Sequence, residues 1–281
     1  MTVSAGTRVR WHHGVVSTSE NGPVKVIAAL GSSFAAGPGI EPVADAAAMR
    51  SARNYAHQLA DRLSAELVDL TVSGATTANV IDTPQQSPTG SSYPPQVDGL
   101  PANADAITVT AGGNDLQFAG AMLYVAWRRL EPESPMVPML GAMFEGGIPA
   151  PTDEAVEAAT AGLVRVVEKA REKAPNARIL LVDYLTVLDA DSLDHTPFDQ
   201  DELEQFLVIQ TAIGTVFRDA AARTGADLIL ASALSEGHAL GSAEPWVQSF
   251  HQDMAATAGS FHPNEAGMTA IATELERTLT A

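Results

Sequence analysis

Residues 24–39 read VKVIAALGSSFAAGPG, a largely apolar run that breaks at Gly31 into two serines and a glycine-flanked turn. A run of this length bounded by Gly and Ser reads as a buried strand entering a loop. Four further runs repeat the pattern. They are Leu67–Ser73 (LVDLTVS, closed by Gly74), Ala104–Thr110 (ADAITVT, leading into Gly112-Gly113-Asn114-Asp115), Arg178–Val187 (RILLVDYLTV) and Ala226–Ala231 (ADLILA). Between them the apolar spacing becomes helical. Tyr55, Leu59, Leu63 and Leu67 predict a helix over 52–67, and Val156, Leu163, Val167 and Ala170 one over 153–174, capped by Thr152 or Asp153. Leu203 to Phe217 mark a helix ended by Gly225, and Met268, Ile271, Leu275 and Leu279 mark a last one. Strands alternating with helices predict one α/β domain over 24–281 with a five-stranded parallel sheet covered on both sides. Residues 1–23 read as an N-terminal arm, and Thr83–Pro101 as a long surface loop. Ligands bind beyond the carboxyl ends of such strands. The loops at 31–39, 74–77, 112–116 and 259–264 are therefore the expected site builders.

Residues 131–151 contain five prolines (Pro132, Pro135, Pro138, Pro149 and Pro151), which argues against a continuous helix. We read about 117–151 as an insertion outside the core that serves as a lid or acyl pocket. Phe118, Met122, Met139, Met143 and Phe144 are its candidate pocket residues, and four of the eight methionines fall within it. Thioethers adapt well to varied apolar ligands. The competing reading is that 118–130 is simply the core face of a helix.

Composition narrows the class. Of 281 residues 46% are apolar, enough for a real core, and no stretch approaches the roughly 18 uncharged apolar residues of a spanning helix. No stable membrane insertion is expected. A net charge of -18, from 16 basic and 34 acidic residues, argues against nucleic acid as a partner, because phosphate binding depends on Lys and Arg. There are no cysteines, which excludes disulfides and thiol chemistry. With no secretory leader legible at MTVSAGTRVRWHHG, a cytoplasmic location is the expectation.

Three features could do chemistry. Ser33, in the turn after the first strand, could present its hydroxyl beside free backbone N–H groups; a Gly/Ser turn without chemistry is the alternative. Asn114, after Gly112-Gly113, could donate to a developing oxyanion; a turn with a helix N-cap is the alternative. His262, in Ser260-Phe261-His262-Pro263-Asn264, could act as a base over the sheet; a structural histidine is the alternative. The chain has no phosphate loop of the G-x-x-x-x-G-K-[ST] type and no H-E-x-x-H, so neither a cofactor nor a metal is expected.

Taken together, Ser33 after the first strand, Gly74 after the second, Gly-x-Asn-Asp after the third and His-Pro before the last helix resemble the SGNH (GDSL) hydrolase family over roughly residues 24–280. The resemblance implies a flavodoxin-like three-layer α/β/α sandwich and a serine esterase or lipase. It implies Ser33 as nucleophile, His262 as base, and an oxyanion hole from the Ser33 and Gly74 N–H groups and the Asn114 side chain. The implied partner is a small-molecule or lipid ester. The other readings are a carbohydrate or small-molecule O-deacetylase and a catalytically silent ligand-binding domain. Two positions depart from the family. Ser32 stands where block one usually has Asp, and Gly259 where the last block usually has the Asp of Asp-x-x-His. A branch resembling a streptomycete esterase, which the Gly237-His238 and Pro245-Trp246-Val247 elements also resemble, orients its His with a backbone carbonyl at that position. Gly259 is therefore the expected orienting residue, with Asp253 as a weaker alternative. The surplus of acid around the site predicts a raised His262 requirement and an alkaline optimum.

Overall fold

The computed structural model describes residues 22–87, 90–144 and 146–281. The expected arm, residues 1–23, lies outside the described residues except for Gly22 and Pro23. Five parallel strands form the central sheet: β1 (Val26–Gly31), β2 (Glu66–Asp69), β3 (Ala106–Thr110), β4 (Arg178–Val182) and β5 (Asp227–Ile229). Their spatial order is β2-β1-β3-β4-β5. In register, Ile27 faces both Leu67 and Ala106, and Gly31 faces Thr110. The order reverses at β1, which makes the crevice beside it the place where an open parallel sheet accepts a ligand.

Side chains along β1 alternate between two cores, as period two requires. Ile27 and Ala29 pack against Tyr55, Leu59, Met268 and Ile271, which belong to helices α2 (Tyr55–Leu63) and α9 (Glu265–Thr280), the latter preceded by the short α8 (Ala231–Leu234). Ala28 and Leu30 face the opposite core, built from α3 (Thr77–Ile81), α4 (Phe118–Leu130), α5 (Met136–Phe144), α6 (Asp153–Lys173) and α7 (Gln200–Thr224). The result is the expected three-layer α/β/α sandwich. Thr152 caps α6 by accepting from the Ala155 N–H, and Gly225 ends α7 in the left-handed conformation at φ 68°. Among the described residues no helix is long and apolar enough to cross a membrane.

Three local readings need correction. The helix predicted over 52–67 stops at Leu63, because Ser64 turns left-handed and Leu67 joins β2. The loop at 83–101 contains a small hairpin (Gln85–Gln86 with Ser92–Tyr93) and a 3₁₀ turn at Gln96–Gly99. The proline-rich insertion is helical over Met136–Phe144 and belongs to the core. Pro138 sits in the first turn of α5, where its missing N–H has no intrahelical partner to lose. Met136, Leu140 and Phe144, four residues apart, are buried in the larger core.

Leu163 on α6 is fully buried between sheet and helix. Leu163→Ala should lower unfolding free energy by about 2–5 kcal/mol. Urea titration would read this as a lower midpoint at unchanged m-value.

Candidate active site

Ser33, Gly74 and Asn114 each follow a strand at its carboxyl end, and the histidine does not. Ser33 begins a single helical turn (α1, Ser33–Ala36) directly after β1 and Ser32. Gly74 lies past β2 at φ 85°, and Asn114 lies past β3. His262 precedes α9. Its loop is pinned by an isolated bridge between Val247 and Pro263 and by the Gln248 N–H donating to the His262 carbonyl at 2.8 Å.

The structure brings Ser33 and His262 together. Ser33 Oγ lies 2.7 Å from His262 Nε2, across 229 positions of sequence. His262 Nδ1 lies 2.8 Å from the Ser260 carbonyl oxygen. That oxygen can only accept, so Nδ1 carries the proton and Nε2 presents its lone pair to the serine hydroxyl. The pair is nearly sealed: Ser33 is 6% and His262 4% exposed.

The orienting carbonyl is that of Ser260 and not that of Gly259, which corrects the sequence reading. Phe261 adopts a left-handed conformation (φ 62°) and turns the chain so that the carbonyl two residues before His262 faces its ring. The Gly259 carbonyl is used within the same turn, accepting from the His262 N–H at 3.1 Å. A side chain at 259 would meet the Gln248 amide. A Cβ there would lie 2.4 Å from the Gln248 Oε1. Asp253 is exposed, and its carboxylate accepts from the Ala255 N–H instead of meeting His262. Burial of the Phe261 ring between Phe198 and Phe250 offsets the backbone strain. The Ser260 hydroxyl accepts from the His251 N–H at 2.8 Å, which fixes the orienting residue itself.

Among the described residues, the N–H groups of Ser33 and Gly74 donate to no acceptor. Asn114 Nδ2 donates one N–H to the Ala75 carbonyl at 2.8 Å, and its second N–H makes no bond. Asp115 accepts from the Thr77 N–H and, at 2.6 Å, from its hydroxyl. Burial pushes the Asp115 carboxyl above its usual range, opposed by those bonds. The loop after β3 thus grips the loop after β2 at two successive residues.

Tyr184, just past β4, was not singled out from sequence. Its hydroxyl lies 3.0 Å from Ser32 Oγ and accepts from the Gly113 N–H at 3.2 Å. Its ring stacks on Phe34 at 4.1 Å. It takes the space a Cβ at Gly113 would need, 2.4 Å from the ring, so glycine there has a packing reason. Burial pushes the Tyr184 phenol up to about 12, so it remains a neutral hydroxyl. Ser32, at the position of the family's Asp, is tied through this tyrosine to the loop bearing Asn114.

The five expected pocket residues do not share a surface. Phe118, Met122 and Phe144 are sealed in the core, while Met139 and Met143 stand in solvent at 60% and 58% exposure. The cause is the helical period of α5: 136, 140 and 144 point inward, so 139 and 143 point outward. His238 and Trp246 stack face to face at 3.8 Å, and the main-chain N–H of Trp246 donates to the His238 carbonyl, which holds the segment leading to Gln248.

Comparison with known proteins agrees with this architecture. The family described as GDSL-like Lipase/Acylhydrolase matches residues 29–270. A curated relative, Lipase 2 of Streptomyces coelicolor, is 32% identical over 223 residues, covering 75% of this chain and 70% of its own length. An extracellular lipase from Streptomyces rimosus superposes with a TM-score of 0.66 at 20% identity, covering 91% of this chain and 100% of its own. Phospholipase A1 from Streptomyces albidoflavus does so at 0.63 and 22%, covering 91% and 99%. These two likenesses speak to fold.

Burial, partly opposed by the Ser260 carbonyl, pushes the His262 imidazole down to about 4. This reverses the expectation drawn from net charge. Removing the ring from water penalises the imidazolium at close range, whereas surface carboxylates act through screened solvent. With a folded value below the unfolded one of roughly 6.5, His262 contributes stability above that pH and loses it as pH falls towards 4. Nitrogen-15 NMR of the histidine side chains should find one imidazole still neutral at pH 5.5. A His262 midpoint near 6.5 would contradict the burial argument.

Proposed function

The chain belongs to the GDSL-like lipase and acylhydrolase family and is a carboxylic ester hydrolase, and from that premise we propose that Ser33 is its nucleophile and His262 its general base. The observation that carries this reading is the 2.7 Å contact between Ser33 Oγ and His262 Nε2. In the first step the serine oxygen bonds to the ester carbonyl carbon while its proton passes to Nε2. The carbonyl oxygen, now an anion, is received by the N–H groups of Ser33 and Gly74 and the second N–H of Asn114. Collapse breaks the bond to the alcohol, which leaves with the proton from Nε2. Water then repeats the sequence on the acyl-enzyme and releases the acid, restoring Ser33.

The Ser260 carbonyl keeps the Nδ1 proton in place throughout, and so keeps the Nε2 lone pair on the serine. It stabilises the imidazolium less than a carboxylate would, because it carries no full charge. A base pushed down to about 4 is weak but fully available at neutral pH. The intact serine–histidine contact argues against a catalytically silent domain.

The substrate we propose is an ester with an apolar acyl chain. Residues 135–144 carry no charge, and the outward face of α5 offers Pro138, Met139, Ala142 and Met143 to solvent. In this reading the insertion contributes contacts from that outer face, while Phe144 on the inner face packs against Tyr124 of α4.

Ser33→Ala should abolish hydrolysis of p-nitrophenyl esters and labelling by a fluorophosphonate probe; unchanged turnover in the purified variant would end the assignment. A C2 to C12 p-nitrophenyl ester series should give its highest kcat/KM between about C6 and C12. A sharp optimum at C2 would instead favour an O-deacetylase.

A further inference from the structure

A histidine without a carboxylate has to be positioned by its own loop, and Gln248 joins that loop to the serine's. The Gln248 Nε2 group donates to the Pro38 carbonyl at 3.0 Å and to the Pro263 carbonyl at 3.1 Å. Pro263 is the neighbour of His262. Pro38 follows Gly37, whose N–H donates to the Ser33 carbonyl at 2.9 Å. Both acceptors are proline carbonyls, on backbone whose φ is fixed by the ring. The Gln248 main chain adds two bonds, donating to the His262 carbonyl at 2.8 Å and accepting from the Phe261 N–H at 2.9 Å. Space for the amide is made by two glycines: a Cβ at Gly39 would lie 2.7 Å, and one at Gly259 2.4 Å, from Oε1.

We propose that Gln248 is a positioning residue that holds His262 at reacting distance from Ser33 by strapping Pro38 to Pro263, a role that rests on the Ser33–His262 reading above. The Ser260 carbonyl fixes how the imidazole is turned. It does not fix how far the ring stands from a serine on another loop. The amide of Gln248 does, because its two donors meet one carbonyl from each loop. The same side chain lies where a side chain three residues before His262 would begin, so the strap and a residue larger than glycine at 259 compete for one space.

The strap needs donors, which separates this role from filling space. Gln248→Glu keeps the shape but sets a carboxylate against two carbonyl oxygens, and Gln248→Met keeps the bulk with no donor. Both should lower kcat for a p-nitrophenyl ester 10- to 100-fold with KM within about twofold, the scale of a displacement near 1 Å at the reacting atoms. Gln248→Ala should be no worse than Gln248→Glu. Rates are normalised to the folded fraction from thermal melts, and Gln248→Met carries the comparison if the Glu variant does not fold. If Glu and Met retain kcat within about twofold while Ala loses it, Gln248 only fills space and the proposal falls. If Ser33→Ala itself keeps activity, the site reading fails first. If Ser33→Ala is dead and all Gln248 variants retain kcat, the strap alone is refuted.

Discussion

The close pairing of Gly31 with Thr110 is the constraint on which the rest of the site depends. At the end of β1 a Cβ on residue 31 would lie 2.4 Å from the Thr110 carbonyl oxygen. Only glycine lets the strand leave the sheet so close to β3. The Ser32 N–H then donates to that same oxygen at 2.9 Å. Gly31's own N–H and carbonyl are taken up by the Gln96 side chain at 2.8 and 2.9 Å. The serine turn is thereby fixed against the exit of β3, and the Gly112–Asn114 loop has to emerge beside it. Ser33 and Asn114, the proposed nucleophile and oxyanion donor, leave the sheet side by side because two parallel strands end at one level.

The remaining geometry is held by side chains that join one loop to another. Loops over a sheet cannot satisfy their backbone groups by regular pairing, so buried carbonyls and N–H groups take polar side chains as partners. Tyr184 links the serine turn to Gly113, Asp115 and Asn114 link the third loop to the second, and Gln248 links the serine turn to the histidine loop. Each such strap joins segments far apart in sequence.

The missing carboxylate also sets the electrostatics. His262 is buried against Phe34 and bonded only to a serine hydroxyl and a neutral carbonyl, so only the Ser260 carbonyl favours its charged form, and burial outweighs it. The imidazole remains neutral well into acid, despite a chain of net charge -18. Proximity and desolvation dominate over bulk charge because the interior screens little and the solvent screens much.

By itself the sequence determined the alternation of strands and helices, the three-layer class, and the candidacy of Ser33, Gly74, Asn114 and His262. These are local signals: apolar period, glycine at strand exits, and residue types whose chemistry is known. It misjudged 131–151, where five prolines suggested an element outside the core. Pro138 falls in the first helical turn, a matter of register that residue counting does not reveal. Only the tertiary structure decided that Ser260 and not Gly259 orients the histidine, since that depends on one left-handed residue, Phe261. It also decided the roles of Tyr184 and Gln248, which have no sequence period to announce them. Tyr184 meets Ser32 and Gly113, 152 and 71 positions away, and Gln248 meets Pro38, 210 positions away; hydrogen bonds of that reach exist only once the sheet has brought the loop ends together.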